Sequence, residues 1–159
     1  MQLSRIDTYM MSIAFLTASM SKAKRLQVGA VFARDNRPLC TGWNGVLEGL
    51  SDDSCEELIP TQDGLTYKTK PTVIHAEMNA LRFMAKAGIP TAGATLYITH
   101  APCINCAKHL AGIGLSRIVY ARDYRSTEGI DFLKTIPTIE IYQCKGFSCK
   151  PVESAELPS

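Results

Sequence analysis

His75-Ala-Glu77 and Pro102-Cys-Ile-Asn-Cys106 are the segments of this chain whose residue types and spacing can do chemistry together. Cys103 and Cys106 are three apart, so on a helix they share one face, and in its first turn the positive helix end favours thiolate over thiol. Two thiolates and the imidazole of His75 make a good ligand set for Zn²⁺. Three protein ligands leave a fourth position for water, which separates a catalytic zinc from a closed structural one. Glu77 could itself ligate, but a free carboxylate beside the activated water is better placed to move protons. Each piece alone is ordinary: a histidine at a helix start is usually a cap or a surface residue, and a lone Cys-x-x-Cys serves redox pairs and structural zinc as well.

The elements that must hold these residues follow from periodicity. Ile6, Tyr9, Met10, Ile13, Thr17 and Met20 recur at helical spacing, so an amphipathic helix opens the chain, and Asp7 within it argues against a signal peptide. A basic connector, residues 21–25, leads to two apolar runs, 28–32 and 39–43, which flank a turn cluster and read as a hairpin. Residues 44–71 carry six Asp/Glu, two Pro and little periodicity, and are expected to form one long loop. Met78, Leu81, Met84 and Ala85 mark a helix over 75–87, stopped by Gly88 and Pro90. Then follow a strand at 94–99, a helix at 103–112 with Pro102 as its first residue, a strand at 117–121, a helix at 126–135 opened by a Ser or Thr cap, and a strand at 139–142.

The order α-β-β-α-β-α-β-α-β predicts an α/β fold. It is a three-layer α/β/α arrangement around one five-stranded mixed sheet, in which the first hairpin is antiparallel and the later strands are parallel. Residues 1–149 are expected to form one domain and 150–159 a C-terminal tail.

Composition limits the partners. The chain has 159 residues, 46% apolar and 20% charged, with 17 Lys+Arg against 15 Asp+Glu, a net charge of +2. That length suits one core, and the balance gives no broad basic face for a nucleic-acid backbone. No window has the run of about 20 apolar residues that spans a bilayer. Six cysteines are too few for a small disulfide scaffold. Cys40 falls in a strand and reads as a small buried apolar residue; Cys144 and Cys149 could pair, ligate metal or stay free, free thiols being the default in a reducing cytoplasm.

His-x-Glu opening one helix and Pro-Cys-x-x-Cys opening the next, one strand apart, is the pattern of zinc-dependent base deaminases. Here the sequence resembles the cytidine deaminase superfamily, and more closely its deoxycytidylate (dCMP) deaminases of phage or bacterial type. The resemblance covers about residues 5–145. It is carried by Arg25-Leu-Gln-Val-Gly-Ala-Val31, Thr41-Gly-Trp-Asn-Gly45, Ser51-Asp-Asp53, His75-Ala-Glu-Met-Asn-Ala80, Leu96-Tyr-Ile-Thr99, residues 102–108, and Val119-Tyr120 followed by Tyr124.

The resemblance implies a cytidine deaminase-like fold, with zinc on His75, Cys103 and Cys106 and Glu77 as the general acid/base. The Ala76 backbone N–H would orient the pyrimidine carbonyl, Asn44 the sugar, and Tyr124 would lie near the phosphate. Arg25 and Lys22 are further phosphate candidates, Lys22 equally a solvated connector residue. Ala23 stands where many members have a cysteine that helps hold a second, structural zinc, so one catalytic zinc per chain is expected. The implied reaction is hydrolysis of dCMP to dUMP and ammonia, supplying dUMP for dTMP synthesis, in a cytoplasmic homo-oligomer, hexamer or dimer, activated by dCTP and inhibited by dTTP. Gly45, Glu48, Gly49, Asp52 and Asp53 would hold the regulatory triphosphate, with Mg²⁺ on the acidic side chains; the alternative is an ordinary acidic surface loop.

Three rivals are weighed against this. A deaminase of tRNA or single-stranded nucleic acid needs a basic, aromatic groove, which a charge of +2 and 8% aromatics do not suggest. Free-nucleoside cytidine deaminases typically have Cys where His75 stands. A noncatalytic zinc module would have no use for Glu77 beside an open coordination position.

Overall fold

The structure, a computed structural model, describes residues 3–145. Helix α1 (Arg5–Ala18) leads into strands β1 (Gly29–Arg34) and β2 (Arg37–Trp43). Between β2 and helix α2 (Ala76–Ala87) lie β3 (Gly45–Val46), β4 (Glu56–Thr61), β5 (Gly64–Thr69) and β6 (Val73–Ile74). The chain continues through β7 (Thr95–His100), α3 (Ile104–Leu110), β8 (Arg117–Arg122), α4 (Glu128–Lys134) and β9 (Glu140–Gln143). The proposed tail at 150–159, its boundary at 149 and Cys149 lie outside the described residues.

The central sheet has the order β2-β1-β7-β8-β9. β1 pairs antiparallel with both β2 and β7, and β7, β8 and β9 run parallel. That is the five-stranded mixed sheet expected from the sequence. Asp35 and Asn36, with φ of 53° and 61°, make the two-residue turn that closes the β1–β2 hairpin.

Alternation along the strands divides the core. Ala30, Phe32, Leu96, Ile98, Ile118 and Tyr120 face one layer with Ala80 and Met84 of α2, Ala107 and Leu110 of α3, and Ile130 and Leu133 of α4. Val31, Ala33, Tyr97, Val119 and Ala121 face the other, where α1 contributes Met10, Met11 and Ala14. One helix therefore covers one face and three cover the other. The buried stripe of α1 is Met10, Met11, Ala14, Thr17 and Ala18, while Tyr9 and Met20 of the expected stripe are 53% and 60% exposed.

Residues 44–71 are not one loop. β4 and β5 form an antiparallel hairpin around Gln62-Asp63, and β3 pairs with β6, so two small ribbons flank the main sheet. The hairpin is mostly solvent-exposed on both faces, so burial imposes no apolar alternation on its sequence. Asp63-Gly64 between runs rich in Ile, Thr and Tyr was the available signal.

Candidate active site

His75 and Cys103 are the N-cap residues of α2 and α3, and neither side chain caps its helix. Ser, Thr, Asp or Asn at such a position usually accepts a backbone N–H. Here the side chains instead turn towards each other across the parallel strand between the helices. His75 Nδ1 lies 3.5 Å from Cys103 Sγ and 3.4 Å from Cys106 Sγ. Helix α3 starts at Ile104, so Pro102 precedes the cap rather than opening the helix, and Cys106 sits in the first turn.

Two close backbone contacts hold these helix starts. A Cβ on Gly42 of β2 would lie 2.5 Å from the Ala76 carbonyl oxygen, so α2 rests directly on the sheet at its metal-facing end. A Cβ on Gly129 of α4 would lie 2.1 Å from the Pro102 carbonyl oxygen and 2.8 Å from the Cys103 carbonyl carbon. Sequence reasoning passed over both glycines.

The donor set fits zinc. Tetrahedral coordination with ordinary Zn–S and Zn–N bonds separates N from S by about 3.6 Å, close to the separations found here. His75, Cys103 and Cys106 are the one group of three or more His, Cys, Asp or Glu donors gathered this closely among the described residues. Cys106 and His75 beside it push the Cys103 thiol down to about 3, while Cys103 and burial push Cys106 up.

Glu77 is 3% exposed in the first turn of α2 and lines the same cavity as His75 and Cys103. Burial raises its pKa, against the opposing pull of His75. A carboxyl whose protonated form is favoured in this way can hold a proton as well as release it.

The cavity, of about 670 Å³, is also lined by Arg25, Asn44, Ala76 and Tyr124. Asn44 is anchored: Oδ1 accepts from the Val28 N–H at 2.8 Å and Nδ2 donates to the Leu26 carbonyl at 2.8 Å. One amide hydrogen and one lone pair remain for a ligand. Lys68, His100, Asp123 and Arg125 line the cavity as well and were missed. Arg125 follows Tyr124 directly, and Lys68 belongs to the unforeseen hairpin.

That hairpin forms one wall. Glu56 of β4 accepts from the N–H groups of Lys24 and Arg25 at 3.0 and 3.2 Å, and Arg25 Nη1 donates to Thr69 Oγ1 at 3.2 Å.

Lys22 does not line the cavity. It is exposed and pairs with Asp53, the nearest carboxylate on the neighbouring acidic segment. Asp52 is paired in turn with Lys70. Glu48, Gly49, Asp52 and Asp53 lie on the exposed surface, and Gly45 is buried in β3; none of the five lines the cavity. Cys40 is buried and its thiol donates to the Ala80 carbonyl, as expected of a small core residue. Cys144 is buried too, donating to the Tyr120 carbonyl at 3.3 Å.

Comparison with known proteins agrees with this geometry. The family model for the cytidine and deoxycytidylate deaminase zinc-binding region matches residues 4–122. ComE operon protein 2 of Bacillus subtilis (strain 168) is 36% identical over 95% of this chain and 73% of its own length. The deoxycytidylate deaminase of Mycobacterium phage D29 is 34% identical over 74% of this chain and 94% of its own. Among solved structures, the dCMP deaminase of cyanophage S-TIM5 in complex with dCMP and dUMP superposes with a TM-score of 0.79 at 35% identity, covering 91% of this chain and all of that one.

Proposed function

The chain belongs to the cytidine and deoxycytidylate deaminase family, and from that premise we propose that it hydrolyses dCMP to dUMP and ammonia. The observation that carries the reading is the gathering of His75, Cys103 and Cys106 beside buried Glu77 in a cavity whose walls also bear Arg25, Lys68 and Arg125. The S-TIM5 enzyme, similar over its whole length and solved with dCMP and dUMP, supports the same substrate.

His75, Cys103 and Cys106 would hold one zinc. When bound, it supplies a Lewis acid with a position open to water and lowers the pKa of that water towards about 7. Glu77 takes one proton from the attacking water and passes it to N3 of the pyrimidine, then takes the second from the hydroxyl now on C4 and gives it to the amine, which leaves as ammonia. The Ala76 N–H orients the pyrimidine carbonyl, and Asn44 meets the sugar with the amide valences its backbone bonds leave free. Arg25, with Tyr124, Lys68 and Arg125 on the cavity wall, draws the negatively charged nucleotide in.

Regulation by dCTP and dTTP, with Mg²⁺, belongs to the same proposal. Its seat is the exposed acidic segment around Gly49, Asp52 and Asp53, outside the cavity, where a triphosphate can bind without competing for the substrate's place. Binding there would exchange the Lys22–Asp53 and Lys70–Asp52 pairs for contacts with phosphate and cation. Self-association is proposed on the exposed apolar residues Tyr9 and Leu16 of α1 and Met20 in the turn that follows it. We place the enzyme in the cytoplasm; no helix among the described residues is long and apolar enough to cross a membrane.

The test is deamination by the zinc-loaded protein of dCMP, deoxycytidine and a cytosine-containing oligonucleotide, with and without dCTP, dTTP and Mg²⁺. Turnover of dCMP in preference to the other two, raised by dCTP and lowered by dTTP, supports the proposal. Turnover of the oligonucleotide with silence on dCMP overturns it, and unregulated dCMP turnover removes the regulatory part alone.

A further inference from the structure

His100 closes β7 three residues before Cys103 and is 7% exposed. Its Nδ1 lies 3.0 Å from Thr99 Oγ1. Thr99 is itself fully buried, and its oxygen accepts the Gly29 N–H at 3.2 Å. With that lone pair engaged, the Thr99 hydroxyl hydrogen is free to be donated to His100 Nδ1. When it is donated there, Nδ1 is the acceptor and the ring proton of the neutral imidazole lies on Nε2.

No hydrogen bond joins His100 Nε2 to any described residue. Yet none of their buried side-chain nitrogen or oxygen atoms lacks a partner, so Nε2 reaches the open space that His100 borders. Two such spaces meet at this ring. One is the catalytic cavity; the other is a cleft lined by Lys24, Arg25 and Arg122 with no carboxylate. Ala23, Arg25, Leu26 and His100 are common to both. Burial and the nearby Arg122 lower the His100 pKa, which keeps the ring neutral.

We propose that His100 is a substrate-positioning donor, its Nε2–H aimed at a phosphate oxygen of the nucleotide where the cavity opens onto the cationic cleft. A donor that opens onto a cavity from a mostly buried ring, with no hydrogen bond to a described residue, gains most from an acceptor that carries charge, and Arg25 with the cations of the cleft attracts anions to this junction. The inference rests on the dCMP reading and deepens it. It assigns to a neutral side chain part of the discrimination between nucleotide and nucleoside.

The experiment compares His100→Leu and His100→Gln with the wild-type zinc-loaded protein. The readouts are kcat and KM for dCMP, and the inhibition constants of dUMP and deoxyuridine. His100→Leu should raise the dCMP KM and the dUMP inhibition constant about tenfold or more, the scale of a hydrogen bond to a charged group. It should leave kcat and the deoxyuridine constant within about twofold, the pattern of lost ground-state binding. His100→Gln, which keeps an NH donor at similar reach, should recover much of the loss. A purely structural role would weaken dUMP and deoxyuridine alike and overturns the proposal, as does an unchanged dUMP constant.

Imidazole ¹⁵N shifts of the wild type keep the proposal testable should the variants fail to fold. An Nε2–H tautomer whose shift moves with dUMP and not with deoxyuridine supports it. The other tautomer, or an equal response to both, overturns it. A wild type that neither turns over dCMP nor binds dUMP overturns the substrate reading and this inference together, whereas dCMP turnover with an indifferent His100 overturns the inference alone.

Discussion

His75 Nδ1 and Cys106 Sγ lie 3.4 Å apart, although 31 residues and a whole strand separate them in the chain. Each belongs to the start of a different helix, and the parallel strand β7 between those helices brings the two starts to one end of the sheet. Open α/β sheets characteristically place their ligands there, beyond the carboxyl ends of parallel strands.

Zinc content is therefore expected to follow these three side chains. Elemental analysis of purified protein should give about one zinc per chain, and His75→Ala, Cys103→Ser or Cys106→Ser should each reduce it severalfold or more, since zinc prefers thiolate and imidazole. Cys55→Ser and Cys144→Ser should leave it unchanged. Undiminished zinc in the Cys106 variant would place the metal elsewhere.

Glu77→Gln keeps shape and loses the exchangeable proton. It should retain zinc and lower kcat by at least about 10² to 10⁴, the usual range for a general acid/base. Steady-state rates paired with zinc analysis separate loss of the proton carrier from loss of the site. Substantial activity in the variant would remove Glu77 from its assigned role.

Gly129→Ala tests how the metal loop is held. The added methyl meets the Pro102 carbonyl at 2.1 Å, so Pro102 and Cys103 or helix α4 must shift. Overpacking of this kind costs about 1 to 3 kcal/mol, and weaker zinc retention during chelator competition should accompany it. Gly112→Ala, with nothing within 4 Å, is the control and should behave as wild type.

Much of this was legible in the sequence, for identifiable reasons. The five strands of the main sheet and the helices emerged because buried strands and half-buried helices impose their periods on apolar residues. The metal set emerged because ligand chemistry restricts residue types tightly. The β4–β5 hairpin did not emerge, since a ribbon wet on both faces carries no such pattern, and with it Lys68 was lost from the cavity wall. Lys22 was sorted by its charge and its place in the basic stretch before β1, and neither can tell a phosphate ligand from a partner of Asp53. Gly42 and Gly129 act through contacts between distant segments, which no local window contains.

Asp7 was also underread. It closes a capping box with Ser4 and, on the same carboxylate, accepts from Arg117 Nη1 at 2.6 Å and Tyr97 Oη at 2.8 Å. Burial would lift its pKa, but the hydrogen bonds from Arg117, Tyr97 and Ser4 outweigh it and hold the carboxyl well below the usual carboxylate range.

A carboxylate depressed in the folded state contributes stability that is fully present above its unfolded pKa, about 3.9, and is lost as pH falls through the folded value. Asp7→Asn should thus be less stable than wild type by about 3 kcal/mol at pH 7, where it strands a largely buried arginine. The difference should narrow as unfolding is measured at successively lower pH, beginning near pH 4. A difference that stays constant down to pH 2 would contradict the assignment.

The central claim is that a zinc site of His75, Cys103 and Cys106, worked by Glu77, deaminates dCMP. Its most direct test is dUMP formation from dCMP, followed by chromatography, in protein as purified, after chelation, and after stoichiometric zinc is returned. Turnover that disappears with the metal and returns with about one zinc per chain is the expected result. Turnover that survives complete removal of zinc, or a fully zinc-loaded protein that forms no dUMP, would contradict it.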